Sequence, residues 1–204
     1  MRGRRRAPFT PTVLVMAAML LLAACGGQKW RDVDVRGGLP PLAFTMTRAS
    51  DGKTVTAADF RGKTTLVYFG YTNCPDVCPT TLAALDKVMD QLGPRADSVR
   101  VLFVTVDPNR DTLSALKTYA ASFGPRVVGL RGTPDQIAAF ARHYRTAYSV
   151  RPGDASHPYA VTHGSAVYVF DSRGRARLII PSLATSSTDL AGVTADLRRL
   201  TSST

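Results

Sequence analysis

Thr64-Thr65-Leu66-Val67-Tyr68-Phe69-Gly70-Tyr71-Thr72-Asn73-Cys74-Pro75-Asp76-Val77-Cys78-Pro79 carries one structural transition. Its first seven residues form a β-rich apolar run, the pattern of a strand buried in the middle of a sheet. From Pro79 to Leu92 the period changes. Leu82, Leu85, Val88, Met89 and Leu92 recur at helical spacing, and Gly93-Pro94 stops the helix. Two cysteines, four residues apart, lie between the strand and the body of the helix. Loops at the carboxyl ends of central strands are where open α/β sheets bind ligands.

Outward from this unit the alternation continues. Val99–Val106 predicts a second buried strand, and Thr112–Phe123 a helix with Leu113, Leu116, Tyr119 and Ala120 on one face. Val127–Leu130 predicts a short strand. Thr133 caps a helix with Pro134 at its first position and Ile137, Phe140 and Tyr144 on its inner stripe. Val167–Phe170 and Arg177–Ile180 flank Asp171-Ser172-Arg173-Gly174, a hairpin turn. Thr188–Leu200 closes the chain as an amphipathic helix. The alternation predicts an α/β domain with a central β-sheet flanked by helices. The β-hairpin after the third helix narrows this to a thioredoxin-like fold over residues 39–204.

The chain has 204 residues, 45% apolar and 20% charged, which suits one globular domain. Its one continuous apolar run, Val13–Ala24, is too short for a comfortable bilayer span, which excludes a polytopic membrane protein. Three cysteines and three histidines exclude a disulfide-dense scaffold and a multi-zinc protein. Formal net charge is +11, and every one of the 15 acids is Asp. The basic residues are spread along the chain without interleaved aromatics, so nucleic acid is not an expected partner. A body held near anionic lipid, or meeting an acidic protein, fits better.

Arg2, Arg4, Arg5 and Arg6 precede the apolar run, which ends Leu22-Ala23-Ala24-Cys25-Gly26. Charged, apolar and small residues in that order predict a secretory signal over residues 1–24. The ending matches the bacterial lipobox, which makes Cys25 the expected site of lipidation and the first residue after cleavage. Residues 25–38 then read as a polar, lipid-anchored tether. The domain is expected on the outer face of the bacterial cytoplasmic membrane, attached through its lipid anchor.

Without Cys25, the remaining thiols are Cys74 and Cys78. On a helix, positions i and i+4 share a face, with Cβ atoms roughly 5–6 Å apart. Such a pair chelates one metal ion or closes a disulfide after modest rearrangement. A helix N-terminus favours thiolate, so both sulfurs are expected to be more acidic than free cysteine. An imidazole would complete a three-coordinate site. His163 enters the strand beginning near Ala166, His157 lies in the same loop, and His143 is within a helix. Two thiolates and one imidazole suit copper, above all Cu(I). Structural zinc wants four protein ligands, and no suitable fourth is present.

From about Gly52 to the hairpin, these blocks resemble the SCO/SenC family of copper chaperones for cytochrome c oxidase. The likeness rests on Gly62-Lys63, Phe69-Gly70-Tyr71-Thr72 and Cys74-Pro75-Asp76-Val77-Cys78-Pro79. It extends to Val106-Asp107-Pro108-Asn109-Arg110-Asp111-Thr112, Tyr119, Gly129-Leu130-Arg131-Gly132-Thr133 and the His163 strand. The resemblance implies copper, as Cu(I) or Cu(II), held by Cys74, Cys78 and His163 and passed to the copper A centre of oxidase subunit II. The family usually carries Asp just before the histidine; here it is Thr162, with Gly164 following. Turn and capping chemistry accounts for Asp107 and Asp111, and Asp107 is also a candidate for a hydrogen bond near the site. The alternative is a thiol–disulfide reductase using Cys74 and Cys78 on oxidase or other extracytoplasmic cysteines. The Cys-x-x-x-Cys spacing, and the lack of Trp before Cys74, count against it.

Overall fold

The computed structural model describes residues 29–185 and 187–202. The signal segment and Cys25 lie outside the described residues. Chain contacts divide the molecule into Met1–Trp30 and Arg31–Thr204. The second unit contains its own core and every strand and helix given below, so it holds the contacts a free-standing domain needs.

The strand read from Thr64–Gly70 is β4, and all seven of its residues are buried. It pairs in parallel with β5 (Val99–Thr105), which pairs in parallel with β6 (Val127–Arg131). On its other side β4 pairs antiparallel with β9 (Val167–Phe170), and β9 with β10 (Ala176–Ile180). The turn joining β9 to β10 is the expected hairpin: Asp171 accepts from the amides of Arg173 and Arg175, and Gly174 takes φ 70°. Among the described residues, four α-helices flank the sheet: α1 (Val77–Leu92), α2 (Leu113–Ala121), α3 (Pro134–His143) and α4 (Leu190–Thr201). The fold is thioredoxin-like, with its crossovers between β4, β5 and β6 made by α1 and α2.

Local chemistry explains the boundaries. Helix α1 begins at Val77, two residues before Pro79, because proline is tolerated in a first turn whose amides lack intrahelical partners. Thr112 caps α2 by accepting from the Ala115 amide at 3.1 Å, so Asp111 is free of that duty. Thr133 and Gln136 form a reciprocal capping box at the start of α3.

Five short strands were not legible. Val33–Asp34 (β1), inside the stretch read as a tether, pairs with β10, and the amides of Arg31 and Asp32 donate to Asp196. Thr45–Arg48 (β2) and Thr54–Thr56 (β3) extend the sheet beyond β6. Tyr148–Arg151 (β7) and Ala160–His163 (β8) form a separate two-stranded ribbon. Such strands are two to four residues long, too few for a period to register.

Candidate metal centre

Because β4 and β9 are antiparallel, the carboxyl end of one lies beside the amino end of the other. The first delivers the cysteine loop and the second is entered from β8, whose last residue is His163. Tyr148 of β7 pairs with His163, and the Gly164 amide donates to the Ala147 carbonyl at 3.1 Å, which holds the ribbon's end in place.

The three candidate ligands converge. His163 Nε2 lies 3.3 Å from Cys78 Sγ and 3.8 Å from Cys74 Sγ. All three donor atoms lie within 4.8 Å of one another. A point equidistant from such a triangle is at most about 2.4 Å from each atom, near the metal–thiolate and metal–imidazole bond lengths of soft-ligand sites. His163 Nδ1 faces the Gly164 carbonyl at 2.9 Å. Only a protonated Nδ1 can make that bond, so Nε2 presents its lone pair to the sulfurs. Burial holds His163 below its ordinary pKa, which keeps the ring neutral.

The two sulfurs differ. Cys74 is half-buried, and its Sγ accepts the Cys78 amide at 3.4 Å, occupying the open amino end of α1. Cys78 is buried, with the Tyr68 hydroxyl donating to its Sγ at 3.7 Å. The expectation of enhanced acidity fails for Cys78. Burial pushes its thiol up to about 12, despite hydrogen bonds that pull the other way. A helix dipole contributes only about 1 kcal/mol, too little to offset desolvation of that size.

Gly70 is required by this arrangement. A Cβ there would stand 2.6 Å from Cys78 Sγ and 2.5 Å from the Phe103 ring. Tyr68 and Tyr71 present their rings edge-to-face with His163, at centroid distances of 6.0 and 5.7 Å. They give the imidazole an apolar wall.

Asp107 touches no ligand directly. It is fully buried, accepts from the Tyr159 hydroxyl at 2.6 Å and pairs with Arg110. The Arg110 guanidinium stacks over Tyr159 at 3.9 Å and stands 5.8 Å from the Tyr71 ring. Asp107 thus braces the wall beside His163 at one remove. Asp111 has the more direct role, which the capping reading missed. Its buried carboxylate accepts the Thr72 amide, the Thr72 hydroxyl and the Thr105 hydroxyl, fixing the start of the cysteine loop. The four-residue spacing of the two aspartates was visible in the sequence; that one reaches back to Thr72 was not. Thr162, where the family pattern has Asp, bonds with the Ser149 hydroxyl on the exposed face of the ribbon. His157 is exposed and pairs with Asp154, while His143 lies against Tyr144. Neither joins the site.

A family model described as SCO1/SenC matches residues 42–201. Protein SCO2 homolog, mitochondrial, of Bos taurus is 45% identical over 125 residues, 60% of this chain and 47% of that protein. The chain thus spans about half the length of that relative. The Mus musculus counterpart is 35% identical over 187 residues, covering 85% of this chain and 73% of its own. The structure of Bradyrhizobium japonicum ScoI with copper bound is 37% identical, with a TM-score of 0.68, covering 78% of this chain and 98% of that one.

Proposed function

This chain belongs to the SCO1/SenC family, and from that premise we propose that it is a membrane-tethered copper metallochaperone serving cytochrome c oxidase assembly. The observation that carries the reading is the convergence of Cys74, Cys78 and His163 on one point. Two soft sulfurs and one neutral imidazole suit Cu(I), which tolerates low coordination, and no further His, Cys or acid among the described residues joins them to favour zinc. Similarity to a copper-bound ScoI supports the same cargo.

Copper is the cargo. The buried thiol must give up its proton on loading, so Cu(I) uptake releases protons. The half-buried Cys74 supplies the accessible edge from which incoming thiolates or imidazoles can replace the ligands one by one. The recipient is the copper A centre of oxidase subunit II. Cys25 carries the lipid anchor that holds the domain on the outer face of the cytoplasmic membrane.

Replacing His163 with Ala tests the reading. The reduced domain should take up one Cu(I) per chain. His163→Ala should lose about a hundredfold in copper affinity, the scale of a disrupted metal shell, while its disulfide potential stays unchanged. Zinc held more firmly than copper, or no copper at all, would defeat the proposal. Loss of lipid labelling in Cys25→Ala tests the anchor separately.

One observation favours thiol–disulfide exchange as a second activity. An accessible Cys74 beside a buried Cys78 is the arrangement of an attacking and a resolving thiol. Cys74 thiolate would attack a target disulfide and release one target thiolate. Cys78 would then displace the second, leaving a Cys74–Cys78 disulfide and a reduced target. His163→Ala should retain that exchange.

A further inference from the structure

The chain enters the domain at the metal-ligand end of the sheet. Val33 of β1 stands opposite Ile179, Ile179 opposite Tyr168, and Tyr168 opposite Val67 of β4. Each of these pairings is antiparallel, so β1 runs against β4 and the residues before Val33 continue toward the end where β4 finishes. Continuing that register two residues back puts Arg31 level with Phe69. The Cys78 sulfur lies at the next residue of β4, 2.6 Å from where a Gly70 Cβ would stand. Arg31 and the metal ligands thus share one end of the sheet, three strand spacings or about 15 Å apart. The entry is held firmly. The amides of Arg31 and Asp32 both donate to the buried Asp196 carboxylate on α4, at 2.8 and 2.9 Å. The Val35 amide donates to the Arg177 carbonyl at 3.0 Å and continues the pairing of β1 with β10. Thr64, at the opposite end of β4, lies about 20 Å below Gly70, and the β9–β10 turn lies beyond it.

We propose that this entry point makes the metal-ligand end the bilayer-facing end of the anchored domain, so that copper passes to a membrane-bound acceptor whose own ligands lie close to the bilayer surface. The inference rests on the Cys25 anchor proposed above and adds where the acceptor must hold its ligands. From Cys25 to Arg31 the chain extends at most about 20 Å, and as a random coil it spans about 13 Å. With the further 15 Å or so from Arg31 to the site, the copper ligands stand no more than about 35 Å from the lipid surface. Turning the opposite end onto the bilayer would lift Arg31 by about 20 Å. That stretches the tether to its limit and removes nearly all of its conformational freedom. Connectivity therefore selects the end, with no charged patch required. An acceptor fixed in the same membrane meets the cysteines, whereas a soluble one approaching from the aqueous side meets the far end first.

The test uses residues 25–204 carrying Cys74→Ser and Cys78→Ser, so that Cys25 alone couples to a maleimide-bearing lipid in phosphatidylcholine vesicles. Trp30, the one tryptophan of the chain, is changed to Phe. A single reporter is then placed at either end, Asn73→Trp beside the cysteine loop or Arg173→Trp in the β9–β10 turn. Energy transfer from the reporter to a dansyl-labelled lipid reads its height. Asn73→Trp should transfer several-fold more than Arg173→Trp. A second exposed pair, Thr162→Trp at the metal end and Arg61→Trp at the other, should give the same order and guards against misfolding of the first. Inserting about fifteen Gly/Ser residues after Gly27 gives a random-coil span of about 25 Å and should equalise the two ends. Equal transfer at the native length, greater transfer from the far end, or a difference that survives the insertion would each overturn the proposal. Because the lipid is attached chemically, these outcomes are independent of whether cells acylate Cys25, which the lipid labelling of Cys25→Ala decides separately.

Discussion

The amide and the hydroxyl of Thr72 both donate to the carboxylate of Asp111, at 3.0 and 2.6 Å. The contact spans 39 residues and pins the backbone two positions before Cys74. The same carboxylate also accepts the Thr105 hydroxyl at the end of β5. The strand and the loop are therefore held to each other through one buried acid.

Asp111→Asn turns part of that acceptor into a donor facing donors. The expected loss is about 1–3 kcal/mol, or roughly 5 °C in Tm, with copper affinity reduced about tenfold as Cys74 loosens. Thr72→Val should cost about 1 kcal/mol. Thermal melts and a Cu(I) competition titration check both; an Asp111→Asn protein as stable as wild type would remove Asp111 from this role.

Gly70→Ala places a methyl against Cys78 Sγ and the Phe103 ring. Overpacking of this kind costs about 1–3 kcal/mol. Copper binding should suffer more than folding, because the displaced atom is a ligand. The comparison is Tm against Cu(I) affinity in the same variant, and a normal affinity with lowered Tm would contradict it.

Cys78 holds its proton at neutral pH, and His163 is already neutral there. Copper loading must therefore expel the thiol proton, and apparent Cu(I) affinity should rise about tenfold per pH unit for each proton released. Titrations between about pH 6 and pH 8 read the slope directly. In the apo protein the raised Cys78 pKa gives stability that is complete below pH 9.0 and lost as pH rises toward about 12. A flat affinity profile would show that no thiol deprotonates on binding.

Asp32 sits where β1 joins the domain. Burial, and then the charges of Asp196 and Asp189, raise its pKa from 3.8 to about 6. A raised carboxyl contributes stability that is complete below pH 3.8 and lost as pH rises through about 6. Asp32→Asn should therefore stabilise the domain at neutral pH by about 1 kcal/mol after solvent screening, or about 3 °C. The gain should vanish near pH 4. Melts of both proteins at the two pH values decide it.

Much of this was legible along the chain. The buried strands β4 and β5, the helix after the cysteines, the Thr133 cap and the Asp171–Gly174 turn are each written in contiguous residues. The two- to four-residue strands were not, because their residues become strands only through a partner. Val33–Asp34 is the clearest case: by composition it belongs to a polar linker, and its pairing with Leu178 and Ile179 gives it order. The site divides the same way. Cys74 and Cys78 announced themselves by spacing, whereas Gly70 read as the end of a strand until the Cys78 sulfur was seen against it.

The sequence by itself determined the α/β alternation, the placement of two thiols at a strand-to-helix junction and the charge of the whole chain. Each of these is a property of neighbouring residues or of a sum. Tertiary structure decided that His163, 85 residues beyond Cys78, brings its Nε2 to the sulfurs. It also decided that Asp111 grips Thr72 and that Cys78 keeps its proton. Distance, burial and the direction of a lone pair exist only once strands distant in sequence lie side by side.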